Sequence, residues 1–218
     1  MGQKVHPFGY RLGVIYDWKS RWFFTNKKEY RKNLLIDIKI REFIMRNYSF
    51  ANVVNLEIER GINSLKLILH AVKPGMIIGK GGKGLEEMNK KVLKIVEDIE
   101  KKRFTRKDSP KIDIKIEPVK RPYLTAYFVA QNIAEKLVRS FPHRAVVHFA
   151  IDRVMEAGAK GVKVQLGGRI AGATIHRIEK YAKGTVPTST VREPIDYAEY
   201  PALLPRSGYV GVKVWIAR

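Results

Sequence analysis

The sequence predicts an α+β chain built as two successive α+β units, and three observations carry that prediction. Short runs alternate apolar and polar residues with the period of a half-buried strand: Val54, Leu56 and Ile58; Leu65, Leu67 and Leu69; Ile112, Ile114 and Ile116; Val210, Val212, Val214 and Ile216. Between such runs lie amphipathic helical patterns, the clearest placing Leu85, Met88, Val92, Ile95, Val96 and Ile99 on one face. Pro118 and Pro122 bracket a junction near the middle, dividing 218 residues into halves of ordinary domain size.

In chain order, residues 1–26 hold Gly2, Gly9, Gly13 and Pro7 and read as an extended arm. Its cluster of Trp18, Trp22, Phe23 and Phe24 is expected to pack on its own domain. From Lys27 to Tyr48 the pattern is helical, with Leu34, Leu35, Ile38 and Phe43–Met45 as the apolar side. The first two strand runs are joined by the short turn Gly61-Ile62-Asn63-Ser64 and predict an antiparallel hairpin. Pro74-Gly75 breaks the chain before a glycine-rich loop, a long helix, a polar loop at Arg106 to Pro110, and the strand at Ile112–Ile116. The first unit is thus residues 27–117. In the second, residues 120–218, helices at 123–140 and 143–157 (the latter ended by Gly158) pack on an antiparallel sheet of Val162–Leu166, Thr174–Tyr181, Val191–Tyr197 and Tyr209–Ile216. Pro194 marks the third of these as an edge strand.

Composition narrows the function. There are 42 basic and 21 acidic side chains, a formal charge of +21, and the excess is shared: +12 over residues 1–110 and +9 over residues 111–218. A single basic tail would be lopsided, so both halves are expected to face a polyanion, with nucleic acid first. With 45% hydrophobic residues the chain has the material for a core. No cysteine is present, which removes disulfides, thiolate nucleophiles, zinc ribbons and iron–sulfur clusters. The N-terminus has neither the apolar run of a signal peptide nor a myristoylation pattern, and no run is long enough to span a membrane.

The loop Gly79-Lys80-Gly81-Gly82-Lys83-Gly84 formally matches a dinucleotide fingerprint. That fingerprint needs a strand running into its first glycine and an acidic residue about 20 positions on. Here Pro74-Gly75 intervenes and position 104 is Phe104; nor does Ser or Thr follow either lysine, as a phosphate-binding Walker loop requires. A nucleotide-dependent enzyme therefore stands as the alternative. Short helix, GxxG turn and longer helix instead compose the RNA-clamping element of a KH domain, and helix–strand–strand–helix–loop–helix–strand is the type II order. In this reading Gly79-Lys80-Gly81-Gly82 lets an RNA backbone approach the main chain. Lys80, Lys83 and the following helix N-terminus attract phosphates, and Ile77 and Ile78 floor the base site.

Three stretches then resemble the small-subunit ribosomal protein S-three family: MGQKVHPFGYRLG at the start, KPGMIIGKGGKGLEEM in the loop, and GAKGVKVQLGGRIAGATIHRIEKYAKGTVP with GVKVWI in the second unit. The resemblance implies a structural protein of the small-subunit head, acting on cytoplasmic or organellar ribosomes. It would bind small-subunit ribosomal RNA (rRNA), messenger RNA (mRNA) where it enters the subunit, and the neighbouring proteins S-ten, S-fourteen and S-two. The family's basic mRNA-side helix falls here near His143, with its basic positions at Arg144, Ala145 and His148, of which only Arg144 carries a permanent charge. Two further departures are Ser207, where the family usually has Tyr, and the lack of a charged tail after Arg218. A free-standing KH regulator of transcripts is a further alternative.

The remaining constellations are modest. Arg169, His176, Arg177, Lys180 and Lys183 surround a glycine-rich turn and read as a phosphate-contacting surface. His143 and His148 lack metal-ligand spacing and are expected at the surface or facing RNA. Asp113 and Glu117 share a strand face with no nucleophile beside them and read as solvated. No catalytic constellation, cofactor or metal site is expected.

Overall fold

The computed structural model describes residues 4–61, 63–100, 111–205 and 208–218; the loop expected at Arg106 to Pro110, Phe104 and Ser207 lie outside the described residues. In chain order the elements are α1 (Pro7–Tyr10), β1 (Ser20–Arg21), α2 (Lys27–Asn47), β2 (Val53–Arg60), β3 (Ser64–Ala71), α3 (Pro74–Ile78), α4 (Lys83–Glu100), β4 (Lys111–Pro118), α5 (Ala126–Val138), α6 (His143–Glu156), β5 (Gly161–Gly168), β6 (Arg177–Gly184), β7 (Ile195–Leu204) and β8 (Gly208–Ala217). They group into two compact units. One is Trp18–Lys120; the other joins residues 4–17 to Arg121–Arg218. Residues 1–26, read as one arm, therefore divide between the units.

In the Trp18–Lys120 unit the sheet order is β1-β2-β3-β4. β2 and β3 form the expected antiparallel hairpin, closed by the Gly61 N–H donating to the Ser64 carbonyl at 2.9 Å. β4 joins β3 in parallel, with Leu67 opposite Ile114. Leu56, Ile58, Leu65, Leu67 and Leu69 face α2 and α4, which contribute Ile36, Ile40, Ile44, Met88, Val92 and Val96 to one core. Each such side chain contributes about 1.5–3 kcal/mol by burial.

The apolar side of α2 follows expectation at Phe43–Met45 and differs from it over the first half of the helix. Its helix begins at Asn26, whose side chain accepts from the Lys28 N–H at 3.0 Å. Ile36, Ile40 and Ile44 are fully buried, whereas Leu34, Leu35 and Ile38 are 41–53% exposed. The helix carries two apolar stripes, and the buried one lies beside the buried Asp37. That carboxylate, 3% exposed, accepts from Arg60 at 2.7 Å and from the Trp22 indole N–H at 2.7 Å. The Asp37 and Arg60 side chains lie inside beside the isoleucines, and their pairing avoids the large cost of leaving either charge alone there. Trp22 also packs on Phe24 and Tyr30, as expected of own-domain packing; Trp18 and Phe23 are 65% and 80% exposed.

The second unit has an all-antiparallel sheet of order β6-β5-β8-β7. Val162, Val164, Leu166, Val210, Val212, Val214 and Ile216 point to one face, where α5 and α6 cover them with Val129, Ile133, Leu137, Val147, Ile151 and Val154. β6 and β7 start later than expected, because a turn at Ile170–Gly172 and the segment before Ile195 precede them. β7 is indeed an edge strand; Pro194 precedes it, and Pro201 is the proline within it. α5 is capped from 70 residues away, the Asp196 carboxylate accepting from the Ala126 N–H at 3.0 Å. Gly158 closes α6 in the left-handed region, at φ +96°.

The N-terminal residues are part of this unit's architecture. His6 sets its ring edge-on to Tyr197 at 4.9 Å. Arg11, with 0% exposure, donates to the main-chain carbonyls of Glu193 (2.7 Å), Thr190 (2.8 Å), Pro7 (3.0 Å), Thr188 (3.1 Å) and Pro187 (3.4 Å). No carboxylate is needed: five carbonyl dipoles hold the buried guanidinium. Among the described residues no helix is long and apolar enough to cross a membrane, and no acidic or histidine cluster could hold a metal ion.

Candidate nucleic-acid interface

The glycine-rich loop occupies the expected place between α3 and α4. Gly79 (φ +68°), Gly81 (φ +63°) and Gly82 (φ +79°) all take left-handed backbone conformations that glycine adopts freely. A side chain built on Gly81 or Gly82 would meet nothing within 4 Å, so the turn leaves open space in front of it. Lys80 and Lys83 are exposed beside it. The 18-residue α4 begins at Lys83, whose own N–H donates to the Lys80 carbonyl; the positive end of the helix dipole and the two lysines together suit a phosphate.

Gly84 has another role. A Cβ there would lie 2.3 Å from the Ile77 carbonyl oxygen and 3.0 Å from that of Ile78, so its bare Cα lets α4 start hard against the end of α3. The expected base floor needs correcting at one residue. Ile77 is 1% exposed and belongs to the core, because the single turn of α3 can turn only part of its apolar run outward. Ile78 (37%) and Met76 (51%) are the accessible apolar residues there.

On the sheet face away from α2 and α4, charges neutralise each other. Glu117 accepts from Lys115 at 2.7 Å, Glu59 pairs with Lys66 and Arg21, and Glu57 pairs with Arg21 at 3.1 Å and lies 3.3 Å from His70. Hydrogen bonding from Lys115 and its charge hold the Glu117 carboxyl below the usual carboxylate range. Such a saturated face offers little to a polyanion.

In the second unit the structure separates residues that sequence grouped. Arg177, Glu179, Tyr181 and Lys183 project from β6 toward α6. There Arg177 pairs with Glu179 at 3.0 Å, Lys183 with Asp152 at 2.7 Å, and the Tyr181 hydroxyl donates to Glu179 at 2.6 Å. Arg169 lies at the Ile170–Gly172 turn, its Nε donating to the Ala173 carbonyl at 3.0 Å. Lys180 instead points to the opposite sheet face, where it shares electrostatics with Lys163 and Lys4. Burial, and then these two neighbours, push the Lys163 ammonium down. Lys4 and Lys163 were not singled out from sequence; the alternation of Lys163 with Val162 and Val164 was the available signal.

Arg144, Ala145 and His148 lie exposed along the first turns of α6. His148 stands edge-on to Tyr181 at 5.6 Å, and the Arg144 charge acts on the same Tyr181 hydroxyl. His143 turns inward, its Nε2 3.1 Å from Glu179, because that carboxylate draws it against β6. The hydrogen bond from Tyr181 is the main influence lowering the Glu179 carboxyl, with His143, Arg177 and Arg144 adding to it.

Comparison with known proteins agrees with this architecture. The family model described as KH domain matches residues 39–124, and that described as Ribosomal protein S3, C-terminal domain, matches residues 133–216. Relatives named small ribosomal subunit protein uS3 align over 216 residues, 99% of this chain. They include those of Clostridium novyi (strain NT), 41% identical over 92% of its length, Clostridium botulinum (strain Loch Maree / Type A3), 43% over 91%, and Persephonella marina, 44% over 89%.

Proposed function

Since the chain belongs to the small ribosomal subunit protein uS3 family, we propose that it is a structural, non-enzymatic constituent of the small subunit, working in the cytoplasm as part of the ribosome. Its KH unit binds rRNA through Gly79, Lys80, Gly81, Gly82 and Lys83. The observation that carries this reading is the glycine turn itself: left-handed backbone, two flanking lysines, and open space in front. The second unit meets RNA through Arg144, His148, Arg169 and Lys180, with α6 facing mRNA where it enters the subunit, while Arg177 is committed to Glu179. In the head of the subunit its protein neighbours are S-ten, S-fourteen and S-two.

The test is Lys80→Asp with Gly81→Asp in the full chain. Both positions are exposed and Gly81 faces open space, so the fold survives. Affinity for single-stranded RNA falls about tenfold or more, and the slope of log affinity against log salt flattens by roughly 0.7 for each phosphate no longer neutralised. Unchanged affinity and slope would remove the turn from the RNA interface.

A further inference from the structure

The second unit holds a cavity of about 600 Å³, lined by Leu137, Ser140–His143, Leu166, Ile170–Gly172, Leu204, Pro205 and Val210. That volume lies within the roughly 300–1,000 Å³ range of small-ligand sites. Its floor is the core itself, Leu166, Ile170 and Val210 being at most 2% exposed, while Phe141 stands at its mouth 55% exposed.

Two features of the mouth are unusual. Only three non-glycine described residues have positive φ, and two of them, Ser140 (+62°) and Ala171 (+54°), line this cavity. Ser140 is the left-handed cap of α5, with the Phe141 N–H returning to the Lys136 carbonyl at 3.2 Å. Each left-handed side chain is unfavourable where glycine would not be, and such strain gathers at ligand sites. The second feature is charge. Among the described residues no carboxylate lines the cavity, whereas Arg139 and Arg144 adjoin the Ser140–His143 wall in sequence and Arg169 precedes the Ile170–Gly172 wall, its Nε donating to the Ala173 carbonyl at 3.0 Å.

We infer that this cavity receives one unstacked base of single-stranded RNA, its flanking phosphates drawn by Arg139, Arg144 and Arg169. Flat apolar walls of Phe141, Pro142 and Pro205 suit a π-face, and the cationic rim suits a backbone that a neutral apolar peptide lacks. The inference rests on the reading that the second unit faces RNA, and adds a base-holding site that neither the glycine turn nor the α6 charges supply.

The experiment irradiates the full-length protein with a single-stranded RNA carrying 4-thiouridine and maps the adducts by mass spectrometry. Adducts are expected at the glycine-turn segment 76–84 and at the cavity walls, chiefly Phe141, Pro142 or Leu204. Phe141→Ala removes an exposed stacking wall, and Leu204→Trp fills the cavity; neither alters a charge. Each lowers cavity adducts about tenfold and leaves the 76–84 adducts unchanged. Turn adducts without cavity adducts in the wild type, or cavity adducts undiminished in both variants, would overturn the inference while sparing the KH reading. Adducts at neither place would overturn both. A cavity unreactive toward RNA yet shielded from hydroxyl radicals in the assembled subunit would belong to a protein neighbour, and would also overturn it.

Discussion

The guanidinium of Arg11 donates to the main-chain carbonyl of Glu193 at 2.7 Å, across 182 residues of sequence. Together with the Pro7, Pro187, Thr188 and Thr190 carbonyls, this bond makes residues 4–17 an internal component of the C-terminal unit rather than a loose leader. Arg11→Ala strips five carbonyls of their shared donor, and is expected to destabilise that unit by about 3 kcal/mol. Native-state hydrogen exchange checks it: protection falls in β7 and β8 and stays unchanged in β2 and β3. Equal loss in both sheets would show that Arg11 acts on the whole chain.

Gly84 and Gly81 separate steric need from backbone need. Gly84→Ala sets a Cβ against the Ile77 and Ile78 carbonyls and is expected to cost roughly 2 kcal/mol or more, with α3 displaced. Gly81→Ala meets no atom and costs only the left-handed penalty, about 1 kcal/mol. Urea unfolding of the two variants should rank them in that order.

Glu179 gives the second unit an acid-sensitive component. Its carboxyl is lowered in the folded state by the Tyr181 hydrogen bond and by the nearby positive groups. The stabilisation is therefore fully present above the unfolded-state pKa, and is lost as pH falls through the lower folded-state value. Glu179→Gln should destabilise the protein near neutrality and approach wild-type stability in acid, as seen in denaturant midpoints measured down the pH scale. A constant difference at every pH would show that the carboxylate's charge is not what matters.

On α6, Ala145 and His148 are exposed, so Ala145→Arg with His148→Lys adds fixed charge without disturbing the core. If this helix grips mRNA, the double variant raises translation through a stable message hairpin by a fewfold relative to an unstructured message. Reporter yields in reconstituted translation measure this ratio; a flat ratio would show that the helix does not limit passage of the structured message.

Much of the fold is legible in sequence because it is local. Period-two alternation places β2, β3, β4 and β8, and the glycine turn between two helical patterns marks the KH site. The errors arise where partners are distant. On α2 both Leu34–Leu35–Ile38 and Ile36–Ile40–Ile44 satisfy helical periodicity, and the choice between them lies in distant partners, the sheet and α4 core together with Arg60. On β6, neighbouring basic residues look alike in sequence, yet Arg177 and Lys180 face opposite sides of the sheet. Arg11 was invisible for a different reason: its partners are backbone carbonyls, which leave no residue-type signature.

The knot at Arg11 also sets a timetable. The KH unit is contiguous and can close once residue 120 has left the synthetic machinery. The other unit begins with its first helix already made and cannot seat Arg11 until Pro187 follows, 176 positions later. At about 5–20 residues per second that is an interval of roughly 10–35 s. Throughout it, the nascent chain carries the Arg11 guanidinium without its distant carbonyls. Completion of the C-terminal unit is therefore also the closing of its start: a chain that stops short of the 187–193 loop never captures its own beginning.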